Sequence, residues 1–294
     1  MNDMKQASRH NERYGALYIV STPIGNLGDI TVRAIETLKS VGLIAAENVK
    51  HSRGLCRHYG INTRLTSYNQ HNRRTKGAEL VRRLKSGSDI ALITSAGTPA
   101  VSDPGALLIN MALEEEIKVT PIPGPSAVIA ALSVSGLRMD RFLFLGFLSS
   151  RASKRRKELK SVVNEFRTMV FYEAPHRLTA MLTDLKNILG DRRIVVLREL
   201  TKVYEEVKRG MVSSLLREIE KNEIKGEITL VVAGTQNKVG NRVLGKGTQE
   251  KIEKLLKENR MSIREIATEL SGEQGFSYRT IYKACLSMKK ALNN

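Results

Sequence analysis

The segment Asp89–Gly105 constrains the fold most, because a short apolar run there ends in a long, bent polar loop. The run Ile90–Ile93 is apolar throughout, which is typical of a strand buried on both faces. Two glycines and two prolines interrupt the loop, and the largely apolar stretch Ala106–Ala112 then favours a helix. This order predicts a ligand-binding loop at the carboxyl end of a parallel sheet. Asp103, directly before Pro104, is predicted to cap the helix.

The same order of strand, turn and helix recurs through the first half of the chain. Apolar strands are predicted at Leu17–Ser21, Leu43–Glu47 and Lys118–Ile122. The turn Thr22–Gly28 is rich in glycine but lacks the spacing of a dinucleotide-binding loop, which excludes a standard Rossmann phosphate site. Alternating strands and helices predict a parallel α/β domain over residues 16–136.

A second set of strands predicts a second α/β domain over residues 137–235. Its strands are predicted at Thr168–Tyr172, Ile194–Glu199, Glu205–Arg209 and Glu227–Ala233. The other predicted segments are a flexible N-terminal tail at 1–15, a glycine-rich linker at 236–247 and a helical, helix-turn-helix-like module at 248–294. Contact with nucleic acid and support of a dimer are both compatible with that module.

The charge of the chain favours a polyanionic partner. The formal net charge is +18 and the isoelectric point is about 10.0, which favours nucleic acid over a membrane surface. Residues 50–85 hold ten Lys or Arg side chains and one acid, and residues 151–160 hold six basic residues and one acid. Both segments are predicted to face phosphates, although a solvated helix face has the same composition.

Several classes of protein are disfavoured by what the sequence lacks. Cys56 and Cys285 lie far apart without metal-type spacing, so neither a disulfide framework nor a cysteine-based zinc site is expected. No apolar run approaches the ~20 residues of a membrane span, and residues 1–14 have no apolar core of the kind found in signal peptides. We expect a cytoplasmic protein with no metal and no membrane anchor.

Six motifs, in order along residues 16–235, give the sequence a specific resemblance. They are Leu17–Leu27, Ser95–Pro99 with Ser102–Gly105, Pro123–Ala127, Phe171–Leu178, Arg198–Lys202 and Gly226–Leu230. With them the chain resembles the tetrapyrrole-methylase-like superfamily of S-adenosylmethionine-dependent methyltransferases. More closely, it resembles the ribosomal RNA small subunit methyltransferase I family, which methylates the ribose 2′-hydroxyl of a cytidine in the decoding region of 16S rRNA.

The resemblance implies two α/β domains with S-adenosylmethionine in the cleft between them, usually in a homodimer. It implies that the methionine end of the cofactor lies against the loop after Ile93 and that the adenine end lies near the second domain. The partner it implies is 16S rRNA, either free or within the small ribosomal subunit. The implied cofactor-binding residues are Pro23, Ala96, Gly97, Thr98, Val101, Ser126, Ala127, Tyr172, Glu173 and Leu200.

Catalytic and RNA-binding residues are predicted in and beside the two basic segments. A ribose hydroxyl reacts more readily with a base or a cation near its oxygen, and Glu47 and Lys50, at a strand end, are the catalytic candidates. A surface ion pair or a helix-start contact is the alternative for these two residues. The predicted RNA-binding residues are Lys50, Arg53, Arg73, Arg74, Lys154, Arg155, Arg156 and Lys157.

The sequence departs from the family pattern at two acidic positions. The segment Ala46–Lys50 reads Ala-Glu-Asn-Val-Lys where Ala-Glu-Asp-Thr-Arg is expected, and Ser95 stands where an aspartate is expected. Two carboxylates are therefore missing beside the predicted pocket. We expect an active enzyme, because the ligand loops are otherwise intact. The alternatives are a methyltransferase of the same fold that acts on a small molecule such as a tetrapyrrole, and a non-catalytic RNA-binding protein.

Overall fold

A computed structural model describes residues 14–220, 224–235, 246–258, 261–274 and 278–292, which fold into two compact units. The first unit comprises the chain up to Ser161 together with Thr168–Ala233, and the second comprises Val162–Arg167 and the chain from Gly234 onward. Most of the predicted tail at 1–15 and of the predicted linker at 236–247 lies outside the described residues. The predicted domain boundaries therefore stay predictions.

Five parallel strands form the first sheet of the first unit. They are β1 (Leu17–Val20), β2 (Leu43–Ala46), β3 (Leu65–Ser67), β4 (Ile90–Ile93) and β5 (Val119–Ile122). Their order across the sheet is β3-β2-β4-β1-β5, with Ile90 level with both Leu17 and Leu43. Sequence patterns missed β3, because its three residues lie within the basic segment 50–85 and are only half-buried.

Helices cover both faces of this sheet, which explains why its central strand is apolar throughout. They are α1 (Val32–Ser40), α2 (Val49–His58), α3 (Arg73–Lys85) and α4 (Ala106–Glu114). Ile90 and Leu92 pack with residues of α3 and α4, whereas Ala91 and Ile93 pack with residues of α1 and α2. Successive strand residues point to opposite faces, so a strand between two helical layers needs an apolar residue at every position.

A mixed five-stranded sheet forms the other half of the first unit. Its strands are β6 (Phe142–Phe147), β7 (Thr168–Glu173), β8 (Arg193–Arg198), β9 (Glu206–Met211) and β10 (Ile228–Val232), in the order β6-β7-β10-β8-β9. Only β6 and β7 pair in parallel. The remaining helices of this unit are α5 (Ala127–Ser135), α6 (Ala152–Ser161), α7 (Leu178–Leu189) and α8 (Val212–Ile219), with short 3-10 turns at Leu27–Asp29 and Pro175–Arg177.

Helix α5 connects the two sheets and sets the distance between their loops. It follows β5 of the first sheet, yet Val128, Ala131 and Leu132 are buried against strands of the second sheet. Burial of such side chains contributes about 1.5–3 kcal/mol for each large residue, which fixes the start of α5 beside the end of β7. The predicted α/β fold with two sheets is confirmed.

The second unit contains three helices, as the sequence pattern predicts. They are α9 (Lys246–Glu258), α10 (Ile263–Gln274) and α11 (Tyr278–Leu292), and Ile252, Ile266 and Ile281 are among their shared core residues. The start of α10 is a capping box, in which Glu265 accepts from the amide of Ser262 at 2.7 Å and donates its own amide to the Ser262 hydroxyl at 3.3 Å.

Candidate active site

A cleft with a volume of about 330 Å³ opens at the carboxyl edge of the first sheet. One wall comes from the loops after β1, β4 and β5, and the other comes from the ends of β6 and β7 and the start of β10. Ligands of open α/β sheets bind at this edge, because the loops there are free to vary. Nine of the ten predicted cofactor residues line the cleft: Ala96, Gly97, Thr98, Val101, Ser126, Ala127, Tyr172, Glu173 and Leu200.

The loop after β4 is held in an unusual backbone conformation. Gly97, Ala100 and Ser102 have φ angles of 74°, 68° and 65°, a left-handed region that L-residues with a side chain adopt at a cost of about 1–3 kcal/mol. Thr22 fixes the loop, because its amide donates to the carbonyl of Gly97 at 2.9 Å and its carbonyl accepts from the amide of Gly97 at 3.0 Å. The hydroxyls of Ser21 and Thr98 lie 2.9 Å apart. Strained backbone that is held in place by a second segment of the chain is typical of ligand-binding loops.

Asp103 belongs to the cleft and does not cap a helix, so the predicted cap is wrong. Helix α4 begins only at Ala106, with Gly105 at its N-cap and no capping side chain. The Asp103 carboxyl instead lines the cleft, where it is half-buried and hydrogen-bonded to Thr94. Burial and the negative charge of Glu47 raise its pKa from 3.8 to about 6, and the bond to Thr94 opposes this rise.

Burial in the same cleft wall also raises the pKa values of Tyr172 and Glu173. Burial, with a contribution from the charge of Asp103, raises the pKa of the Tyr172 hydroxyl to about 12. Burial also raises the pKa of Glu173, whose side chain is only 2% exposed. Its Oε1 accepts from the amide of Ala174 at 2.8 Å and forms an ion pair with Arg177. Its Oε2 is buried and finds no hydrogen-bond donor among the described residues, so the cleft wall carries an acceptor that suits a ligand.

The remaining candidates lie beside the cleft. Pro23 lines a second cavity that adjoins the first. Glu47 follows β2, and its Oε2 accepts from the Ser95 hydroxyl at 2.8 Å and from the Ser95 amide at 3.1 Å. Lys50 is exposed on α2 and lines neither of these cavities. Glu47 lines neither cavity itself, but it is bonded to Ser95 of the second cavity and its charge acts on Asp103 of the first. Lys50 lies on the surface of the described protein.

Most of the predicted RNA-binding residues are exposed, with one correction. Arg155 has a side chain only 6% exposed, and its guanidinium binds the buried carboxylate of Asp184 at 2.7 and 2.8 Å. It anchors α6 to α7 and is withdrawn from the RNA-facing set, because its guanidinium is buried as well as paired and cannot reach a phosphate. Arg156 binds the same carboxylate at 2.9 Å, but its side chain is 59% exposed and it stays in the set. The exposed residues of that set are Lys50, Arg53, Arg73, Arg74, Lys154, Arg156 and Lys157.

Two kinds of feature are absent from the described ranges. No group of three or more His, Cys, Asp or Glu side chains there is arranged to hold a metal ion. In the same ranges, no helix is both long and apolar enough to cross a membrane.

Comparisons with known proteins identify the class to which this fold and site belong. The family model described as Tetrapyrrole (Corrin/Porphyrin) Methylases matches residues 16–216. A solved cobalt precorrin-4 methyltransferase superposes with a TM-score of 0.58 at 17% identity, over 74% of this chain and 94% of that one. At that identity the likeness demonstrates the shared fold only. The chain is thus a tetrapyrrole-methylase-fold protein.

Relatives in sequence define the family more narrowly. A Synechocystis protein named Ribosomal RNA small subunit methyltransferase I is 50% identical over 221 residues, which cover 75% of this chain and 79% of that protein. The protein of the same name from Escherichia coli O157:H7 is 47% identical over 234 residues, covering 79% and 82%. This chain belongs to the ribosomal RNA small subunit methyltransferase I family and is an S-adenosylmethionine-dependent methyltransferase.

The residues of the cleft fit this cofactor. S-adenosylmethionine carries positive charge on its sulfonium and amino groups, and the carboxylate of Asp103 faces the cleft. The orphaned Oε2 of Glu173 would accept from a hydroxyl or amino group of the adenosine. Ile24 and Leu200 supply apolar walls for a ring. Apolar surface with a few convergent polar groups is typical of small-molecule sites.

Several residues of the cleft were not predicted individually. Phe147 and the segment Gly226–Thr229 line it, as do Ile24 and Asp103. The motifs Ser102–Gly105 and Gly226–Leu230 were the available signal, because both support the family resemblance. Phe147 had no such signal, since one aromatic residue in a strand normally packs in a core.

Proposed function

We propose that this methyltransferase modifies the ribose 2′-oxygen of a cytidine in the decoding region of 16S rRNA, either free or in the small ribosomal subunit. The supporting observation is that the cavity adjoining the cofactor cleft is lined by the exposed Arg57 of the basic segment 50–85, in a chain with a net charge of +18. The relatives' names specify small-subunit rRNA. A homodimer and a cytoplasmic location belong to the same proposal.

The cofactor-binding set we propose follows the cleft walls. Ala96, Gly97, Thr98, Val101, Ser126 and Ala127 would hold the methionine end, Tyr172, Glu173 and Leu200 the adenosine end, and Pro23 would close one side. Backbone groups of the strained loop after β4 are already in place, which reduces the entropy lost on binding. Asp103 would balance the positive charge of the cofactor.

The proposed chemistry requires positioning and one proton acceptor. S-adenosylmethionine supplies a methyl group that its sulfonium already activates. The protein must hold the ribose oxygen in line with it, and Glu47 would accept the hydroxyl proton. Two donors from Ser95 fix the orientation of the Glu47 carboxylate. Because Lys50 lies on the exposed surface of α2, we assign it to phosphate binding and place catalysis on Glu47.

The substitution at Ser95 is compatible with this proposal. An aspartate in its place would set a second negative charge beside Glu47, whereas the Ser95 hydroxyl donates to that carboxylate.

The two alternative functions, a non-catalytic RNA-binding protein and a small-molecule methyltransferase, make different predictions. A non-catalytic RNA-binding protein would bind RNA without methylating it. A small-molecule methyltransferase would bind cofactor normally and show no dependence on the basic surface.

A labelling experiment tests the proposed function. Purified protein is incubated with S-adenosylmethionine labelled in its methyl group and small subunits or 16S rRNA from cells that lack the modification. Label is expected at one cytidine, and the adjacent phosphodiester should resist alkali, since alkaline cleavage needs a free 2′-hydroxyl. Glu47→Gln should lower kcat by about 10²–10⁴-fold, with Glu36→Gln as an exposed control. Absence of label from every ribose rejects the proposal.

A further inference from the structure

A second cavity, with a volume of about 830 Å³, adjoins the cofactor cleft. The two share Ile24, Ala96 and Glu227 as lining residues. A ligand in the second cavity can therefore lie next to a ligand in the first. Its volume lies near the upper end of the roughly 300–1,000 Å³ usual for ligand sites, so it can hold more than a single small ion.

The walls of this cavity are chemically distinct from those of the cofactor cleft. Helix α2 contributes the exposed side chains of His51, Arg57 and His58. On the other side, Lys202 pairs with Glu199 at 2.9 Å and with Glu227 at 3.1 Å, so one ammonium offsets part of the charge of the two carboxylates. Guanidinium groups bind phosphates through paired hydrogen bonds, and imidazole rings stack on unpaired bases.

The loop between the two cavities is already fixed. The Tyr59 hydroxyl donates to the carbonyl of Leu27, and the Asn26 amide donates to the Thr201 hydroxyl at 3.0 Å. Gly25 leaves no room for a side chain, because a Cβ there would lie 2.9 Å from the carbonyl oxygen of Leu200. The cavity is therefore preformed in the protein without ligand.

We propose that this cavity receives the acceptor nucleotide of the RNA, splayed out of its strand, with its phosphates at Arg57 and its ribose at the Ala96–Glu227 border. The inference rests on the proposed function and adds the site at which the substrate is held. Splaying suits a single-stranded RNA segment, whose unstacked bases are the usual targets of specific recognition.

Gly54 offers a direct test, because it lines the cavity and a Cβ added there meets no atom within 4 Å. Gly54→Leu fills the cavity from within α2. The melting temperature should not fall, since glycine is unfavourable in a helix interior. With unmethylated small subunits and labelled cofactor, kcat/KM should fall on the order of 100-fold, while calorimetry gives an unchanged cofactor Kd. The kcat/KM of Gly54→Ala should lie between those of Gly54→Leu and the wild type.

A charge variant gives independent support. Arg57→Gln should lower kcat/KM for small subunits by about 10- to 100-fold through loss of a charge-assisted contact. Arg53→Gln removes the same charge from the same helix outside the cavity. It should lower kcat/KM only a few-fold, because an exposed charge attracts the RNA weakly through solvent.

The outcomes separate this inference from the proposed function. If the wild-type protein labels RNA and both Gly54→Leu and Arg57→Gln retain wild-type kinetics, the acceptor site is elsewhere and only this inference fails. Equal losses in Arg57→Gln and Arg53→Gln, or a weakened cofactor Kd in Gly54→Leu, also overturn it. If the wild-type protein binds cofactor and labels no RNA, both fail.

Discussion

Asp103→Asn tests whether the cleft is built to hold a negative charge that the empty protein disfavours. Asp103 is half-buried near Glu47, which together with burial raises its pKa from 3.8 to about 6. Between those two pH values the folded protein holds a proton that the unfolded chain has released. The contribution of Asp103 to the unfolding free energy therefore falls as pH rises from about 4 to 6 and is level above that.

The size of this effect follows from the pKa shift. A shift of about 2 units corresponds to about 3 kcal/mol, which is an upper bound because Asp103 is partly exposed. Asparagine does not titrate, so the unfolding free energy of Asp103→Asn minus that of the wild type should grow by up to this amount between pH 4 and 7. Denaturant titrations at each pH measure it. A difference that does not change with pH would refute the reasoning.

Cofactor affinity should depend on the same group. A cation in the cleft favours the carboxylate form of Asp103, so binding below pH 6 requires release of a proton. Calorimetry should find the wild-type affinity falling by up to about tenfold per pH unit below pH 6, and Asp103→Asn should lose this dependence. Asp140→Asn, at an exposed aspartate paired with Arg138, should keep it. Equal wild-type affinities at pH 5 and 6.5 would contradict the prediction.

Three further predictions follow from particular contacts. Asp184→Asn breaks the buried pair with Arg155 and should lower the unfolding free energy by about 3–5 kcal/mol in denaturant titrations, whereas Asp140→Asn should change it little; similar values would mean that the pair is not buried in solution. Gly25→Ala should push its loop away from Leu200 and lower kcat/KM for RNA without unfolding the protein, as thermal melting would verify. RNA affinity in filter binding should fall on the order of 10³-fold between about 50 and 200 mM salt. An affinity that does not change with salt would exclude RNA binding through the exposed basic residues.

The local patterns of the sequence predicted eight of the ten strands that the structure describes, all except β3 and β6. Continuous apolar runs gave the central strand of the first sheet, and glycine and proline gave the turn after it. The short strand β3 was missed, because Leu65–Ser67 is too short and too polar on either side to produce a period. The capping box at Ser262 is a local feature that a sequence pattern can predict, since all its atoms lie within four residues.

The candidate site was predictable where several motifs converged. The resemblance to the family implied ten cofactor residues, and nine of them line one cleft. Asp103 was misassigned, because Asp-Pro is a normal helix start and only Thr94 and Glu47 reveal its other role. Arg155 was misassigned because its partner Asp184 lies 29 residues away, and a run of basic residues does not reveal which member turns inward.

The sequence by itself determined the alternation of strands and helices, the family and the excess of positive charge, because each is a property of neighbouring residues or of composition. Tertiary structure alone decided which carboxylates share one low-polarity cleft, which arginine is buried and where a second cavity adjoins the first. Those features depend on contacts such as Thr22 with Gly97, between residues far apart in the chain. The energies of burial and charge at such contacts are set by the folded surroundings, which no local pattern encodes.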